Sequence, residues 1–165
     1  MYQAIYPTPT GFSDLLLTGD GEFLTGLTFL DPEKSVTPRG ETEIGAFSEA
    51  RRWLDGYFAG RVPDFTPRYR LEGLTPFRRE VLEIVGGIPY GQSLTYGEIA
   101  TLLARRRGTG RVSPQAVGGA VGWNPLCLIL PCHRVLGAGG TLTGYGGGLA
   151  NKAALLRLEG IPFRP

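Results

Sequence analysis

The chain has 165 residues, of which 42% are hydrophobic, and a formal net charge of +2. That is enough to build the core of one domain or of two small ones, and no apolar run approaches the roughly 20 residues that a membrane helix needs. Two cysteines and one histidine are too few for a disulfide framework or an unaided four-ligand zinc site, and the start of the chain lacks the pattern of a signal peptide, so a reduced, intracellular protein is expected.

The N-terminal part reads as strands and one helix. Residues 3–7 alternate. Residues 14–18 and 22–30 are apolar runs separated by Gly19-Asp20-Gly21, a hairpin signal. Residues 31–42 hold Pro32 and Pro38 and read as a loop. Residues 45–58 carry Phe47, Ala50, Trp53, Leu54, Tyr57 and Phe58 at helical spacing. Residues 63–71 read as extended and lead into a second half.

That second half reads as mostly helical. Thr75-Pro76 supplies an N-cap and a proline at the first helical position. The helix presents Phe77, Val81, Leu82 and Val85 and stops at Gly86-Gly87. Thr95-Tyr96-Gly97-Glu98 is a capping box opening a helix through Ile99, Leu102 and Leu103. Ser113-Pro114 opens another, rich in small residues: Ala116, Gly118, Gly119 and Ala120. Two short helices joined by a linker suggest a helix-turn-helix, although the linker, 104–112, is long and arginine-rich. The fold class expected is α+β. It has a small N-terminal domain, residues 1–70, of antiparallel strands and a helix. A mostly helical, winged-helix-like C-terminal domain follows, residues 71–165.

The net charge hides an asymmetry. Residues 1–70 carry −3 and residues 71–165 carry +5. Between Ile84 and Leu158 the single acid is Glu98, against Arg105, Arg106, Arg107, Arg111, Arg134, Lys152 and Arg157. Such a field suits an anionic partner such as nucleic acid, and equally a solvated basic face.

The chemistry concentrates in residues 124–135. An apolar run, Leu126 to Leu130, leads to Pro131-Cys132-His133-Arg134-Val135. An imidazole and a cation beside a thiol can activate it. On an extended strand neighbouring side chains point opposite ways, so Cys132 and His133 need not touch. A core cysteine beside a surface histidine fits the same pair.

Pro131-Cys132-His133-Arg134-Val135, preceded by Asn124-Pro125, resembles the active-site signature of the O6-alkylguanine-DNA alkyltransferases. Thr75-Pro76-Phe77, Ile88-Pro89-Tyr90-Gly91, Thr95-Tyr96-Gly97-Glu98-Ile99-Ala100, Ala116-Val117-Gly118-Gly119-Ala120, Thr143-Gly144-Tyr145-Gly146-Gly147-Gly148-Leu149 and Glu159-Gly160 follow that family's order. The resemblance covers roughly residues 75–160, while residues 1–70 match loosely.

The resemblance implies transfer of an alkyl group from O6 of guanine in double-stranded DNA to Cys132, by a monomer and without a cofactor. His133 would take the thiol proton through a water, and Glu159 would fix its tautomer. Tyr96 would donate to guanine N3, and the Gly146 N–H would face O6. The carbonyls of Cys132 and Val135 would accept from the exocyclic amine. Tyr145 would wall the pocket, Lys152 would support its charge balance, and Asn124 would bridge the recognition helix to the active-site turn. The target nucleotide would leave the stack. Ala116, Gly118 and Gly119 would approach the minor groove, while Thr95 and the arginines, Arg134 among them, would touch phosphates.

Two departures stand out. Gln115 occupies a position where many members carry an intercalating arginine. The linker 104–112 is longer than expected and carries Arg105, Arg106, Arg107 and Arg111, which would supply phosphate affinity. Cys127 reads as core. Three competing functions fit parts of the pattern. A lesion-binding module without chemistry leaves Cys132 unused, and a helix-turn-helix regulator leaves Cys132, His133 and Glu159 without a purpose. A cysteine hydrolase would turn over.

Overall fold

A computed structural model of the chain describes residues 1–39, 43–108 and 110–165. The end of the expected 31–42 loop and residue 109 of the arginine-rich linker lie outside the described residues. Two compact units emerge: Met1–Glu72 with Pro125–Ile129, and Gly73–Asn124 with Leu130–Pro165. Among the described residues no helix is long and apolar enough to cross a membrane.

In the first unit, β1 (Tyr2–Tyr6), β2 (Leu15–Gly19) and β3 (Leu24–Phe29) form an antiparallel sheet in that order. The expected hairpin is present, but β3 starts at Leu24. The Asp20 carboxylate accepts from the N–H groups of Glu22 and Phe23, at 3.0 and 2.8 Å, and so holds those residues in the turn. The alternation along β2 buries Leu15 and Leu17, and α1 (Gly45–Phe58) lies against β2 and β3. Phe47, Ala50, Leu54 and Tyr57 are fully buried on its inner stripe. Pro125–Ile129 returns to this unit: Leu27 N–H donates to the Pro125 carbonyl at 2.8 Å, and Cys127 N–H to the Leu27 carbonyl at 2.9 Å. Cys127 is buried there, as expected of a core residue. The run is a turn, with Leu128 at φ +72°, a left-handed conformation unusual for a leucine.

The second unit holds α2 (Pro76–Gly86), the short strand β4 (Leu94–Thr95), α3 (Tyr96–Arg107), α4 (Pro114–Val121), the short strand β5 (Val135–Leu136) and α5 (Leu149–Glu159). The expected caps are all made. Thr75 accepts from Arg78 N–H, Thr95 and Glu98 form a reciprocal capping box, and Ser113 accepts from the N–H groups of Gln115 and Ala116.

One expectation needs correction. Arg105, Arg106 and Arg107 belong to the last turn of α3, not to a loop, and the helix ends where Gly108 takes a left-handed φ of +62°. There the cations face the negative end of the helix dipole. Cys132–Arg134 is one turn of 3-10 helix. Glu159 is the buried last residue of α5.

β4 and β5 pair in parallel, Leu94 with Val135 and Thr95 with Leu136. This pairing sets the start of α3 beside the Cys132 turn. Leu136, Leu156 and Ile161 form a buried cluster that ties β5 to α5. Thr95→Ala removes the cap that starts α3 and is expected to lower the unfolding free energy by about 1 kcal/mol in a urea titration.

Candidate active site

At three residues per turn, the side chains of Cys132, His133 and Arg134 diverge by about 120°. Neighbours that a strand would send to opposite faces therefore reach different parts of one buried site. The turn is held from both sides. Cys132 N–H donates to the Leu130 carbonyl at 2.7 Å, and Asn124 Nδ2, at the end of α4, donates to the same carbonyl at 2.7 Å. Val135 N–H closes the turn on the Cys132 carbonyl.

His133 and Glu159 are buried, and His133 Nε2 lies 2.5 Å from Glu159 Oε2. A carboxylate can only accept, so Nε2 carries the hydrogen. In the neutral imidazole this leaves the lone pair on Nδ1. Burial pushes the imidazole pKa below its ordinary value of 6.5, against the opposing pull of Glu159, so the neutral base is the form held at pH 7.

Glu159 has further partners. Its Oε1 accepts from Arg134 Nε at 2.8 Å and from Gly91 N–H at 3.1 Å. Arg134 Nη1 donates to the Ile88 carbonyl at 2.7 Å, and the guanidinium lies 5.6 Å from the centre of the Tyr90 ring. Arg134 is thus turned inward and 8% exposed. Its expected place among the phosphate contacts is corrected, because its charge is spent on a buried carboxylate.

Lys152 on α5 is fully buried. Its ammonium donates to the carbonyls of Val135, Thr143 and Gly144 at 2.7, 2.8 and 3.2 Å, and so binds the 143–148 loop to β5. It also lies 5.9 Å from the centres of the Tyr96 and Tyr145 rings. Burial lowers its pKa to about 8, partly offset by the charge of Cys132. Burial raises the Tyr96 hydroxyl, and the charge of Cys132 adds to the rise, so this phenol stays protonated and able to donate. The Val135 carbonyl, expected to meet a base, already accepts from Lys152, but a carbonyl oxygen has two lone pairs. Gly146 is exposed on the loop beyond it.

The residues expected at a nucleic-acid surface lie elsewhere in the second unit. Gln115, Ala116 and Gly119 are exposed on α4, while Gly118 is half-buried beside the Tyr96 ring. Thr95 is half-buried at its cap. Arg105 and Arg111 line one groove between α3 and α4, and Arg106 lines another depression next to Glu83. Arg107 pairs with Glu80 and lies 5.2 Å from the centre of the Phe77 ring. Among the described residues no cluster of three His, Cys, Asp or Glu side chains could hold a metal ion.

Sequence reasoning passed over the Ile88 carbonyl and the Gly91 N–H. The segment Ile88-Pro89-Tyr90-Gly91 was the available signal, but backbone groups leave no trace in residue type. The carbonyl clamp of Lys152 was missed for the same reason.

Residues 76–161 match the family model described as the 6-O-methylguanine DNA methyltransferase DNA binding domain. Residues 1–70 match that of the ribonuclease-like domain of the same methyltransferase. A methylated-DNA–protein-cysteine methyltransferase of Methanosarcina acetivorans is 42% identical, over 97% of this chain and 99% of that relative. One of Haemophilus influenzae is 39% identical, over 99% and 88%. The crystal structure of the Mycobacterium tuberculosis O6-methylguanine methyltransferase superposes with a TM-score of 0.77 at 41% identity, covering 96% of this chain and 93% of that one. The structure of the Mycobacterium tuberculosis protein in complex with DNA gives 0.76 at 42% identity, covering 94% and 90%.

The buried neutral imidazole has a consequence for stability. Its folded pKa lies below the unfolded value of 6.5, so the unfolded chain binds the proton first. The stability it contributes is complete above pH 6.5 and is lost as the pH falls from there through the lower folded pKa. Urea titrations between pH 7.5 and 5.5 are expected to show this loss in the native protein. His133→Gln should show a flatter dependence, since the chain has one histidine.

Proposed function

The chain belongs to the 6-O-methylguanine DNA methyltransferase family, and from that premise we propose that it repairs O6-alkylguanine in DNA by moving the alkyl group onto its own Cys132. The observation that carries this reading is the buried His133–Glu159 pair on the turn that bears Cys132. It holds a neutral imidazole with Nδ1 as the basic nitrogen.

The thiol proton passes through a water to Nδ1. The thiolate attacks the alkyl carbon, the S–C bond forms as the C–O6 bond breaks, and the electron pair goes to O6. Charge then develops on the purine. The Tyr96 hydroxyl donates to N3 and the Gly146 N–H faces O6, which makes guanine a better leaving group. Guanine takes one proton from the Tyr96 hydroxyl and leaves neutral, and the proton held on His133 passes through water to restore that phenol, so the thiol hydrogen ends on the released base. The Lys152 ammonium attracts the thiolate and keeps the 143–148 loop against β5. The carbonyls of Cys132 and Val135 select guanine through its exocyclic amine, and Tyr145 walls the pocket. A thioether has no route back to the thiol, so each molecule acts once.

The α3–α4 pair acts as a helix-turn-helix, with Gln115, Ala116 and Gly119 toward the minor groove and Gly118 behind them. The lesion is reached by flipping the nucleotide. Gln115 fills the gap and hydrogen-bonds the orphaned cytosine without adding charge. Residues 71–165 carry DNA binding and chemistry, and residues 1–70 support them. A free thiol and a DNA substrate suit the reducing cell interior.

Intact-protein mass spectrometry after mixing with duplex DNA containing O6-methylguanine is expected to show one added methyl group, absent in Cys132→Ala. Product beyond one equivalent would instead indicate a hydrolase. Phosphate contact by the arginines of α3 and of the linker after it predicts a second result. The salt dependence of duplex binding should flatten by about 0.9 in log–log slope for each of Arg105, Arg106 and Arg111 changed to Ala. Arg107→Ala should alter it least, because Arg107 is held by Glu80.

A further inference from the structure

Arg134 follows the nucleophile and the base in sequence, yet no step above uses it. It is among the most thoroughly engaged side chains in the site. Its Nε donates to Glu159 Oε1 at 2.8 Å, its Nη1 to the Ile88 carbonyl at 2.7 Å, and its guanidinium rests 5.6 Å from the centre of the Tyr90 ring. The oxygen it holds also accepts from Gly91 N–H at 3.1 Å. The other oxygen of the same carboxylate is the one on His133 Nε2. One carboxylate therefore divides its two oxygens between a cation with a backbone N–H and an imidazole.

We infer that Arg134 is a positioning residue: by anchoring one oxygen of Glu159 and the Ile88 carbonyl, it fixes the carboxylate against the imidazole and keeps His133 neutral with its hydrogen on Nε2. This rests on the proposed role of His133 as the base.

The reasoning is electrostatic. A buried carboxylate facing only an imidazole draws a proton onto the pair, because a lone negative charge away from water is costly. A guanidinium on the second oxygen cancels that charge, so the imidazole has no need to be protonated. The charged and titratable groups around His133 are Glu159 and Lys152 on α5, Cys132 and Arg134 on its own turn, and Tyr90 beyond the guanidinium. Of these, Glu159 favours the protonated ring, and Arg134 and Lys152 oppose it. Arg134 alone does so by binding the carboxylate itself. The guanidinium suits this task because its planar fork makes two bonds in fixed directions and never loses its charge. Its burial beside an anion also explains why a cation in the basic half of the chain is withheld from the surface.

The single histidine makes the test direct, since its ring ¹⁵N and ¹H resonances need no assignment. In the native full-length protein the NMR titration is expected to report a neutral Nε2–H ring at pH 7. In Arg134→Met the His133–Glu159 pair should take up its proton at a pH higher by about one unit or more. The acid limb of methyl transfer to Cys132 should move up with it. Arg134→Lys keeps the charge and should return the titration toward that of the native protein. Arg134→Gln sets a neutral donor near the position of Nε, toward Glu159, and loses the charge and the Nη1 bond to the Ile88 carbonyl, so it carries the comparison where the methionine variant does not fold. A titration in Arg134→Met or Arg134→Gln that overlays the native one overturns the inference. Transfer by His133→Gln at the native rate would count against the base role alone, and would leave the titration to decide Arg134.

Discussion

The second unit turns on one buried carboxylate. Glu159 closes α5, and its two oxygens gather His133 and Arg134 from the Cys132 turn and the N–H of Gly91 from the segment after α2. A carboxylate at that depth is tolerable only when nearly every lone pair is used. Three chain segments far apart in sequence are thereby required to meet at one point. The reward for meeting that requirement is a histidine of defined tautomer beside a cysteine, in a place where water would otherwise blur both.

A second constraint works through backbone. The parallel pairing of β4 with β5 spans two residues on each side, too little to be a sheet in any structural sense. It nevertheless sets Tyr96, the first residue of α3, near the turn that bears Cys132. Lys152 completes the arrangement, with three carbonyls around one ammonium. Tyr96 and Tyr145 lie at equal distance from that ammonium. The two phenol rings and the loop between 143 and 148 are thus organised by a charge that never reaches solvent.

The cations of the basic half divide into two groups. Arg134 and Lys152 are interior and act on neighbouring groups. Arg105, Arg106 and Arg111 are exposed at and beyond the C-terminal end of α3, where Arg105 and Arg106 face the negative end of the helix dipole. Arg107 lies between these cases, exposed but engaged by Glu80 and Phe77. Net charge cannot make this distinction, since it counts an arginine equally wherever its guanidinium goes.

Much of the molecule was legible from residue order. The hairpin, the span of α1 and the three caps at Thr75, Thr95 and Ser113 follow from interactions between residues a few positions apart, and such signals survive in a linear string. Cys132, His133 and Glu159 were legible as candidates, because motifs preserve residue type, and the structure brings His133 onto Glu159. What the string could not carry was geometry that depends on distant partners. Cys132–Arg134 coils into a 3-10 turn because Leu130, Asn124 and Val135 hold it. Arg134 points inward because Glu159 arrives from the far end of the chain, 25 residues on. Pro125–Ile129 joins the first unit through bonds to Leu27 that no local pattern announces. Sequence alone determined the elements, their caps and the chemical inventory, since these depend on near neighbours and side-chain type. Only the tertiary structure decided which charges are buried and what they face, since the stability of a buried charge rests on a partner brought from elsewhere.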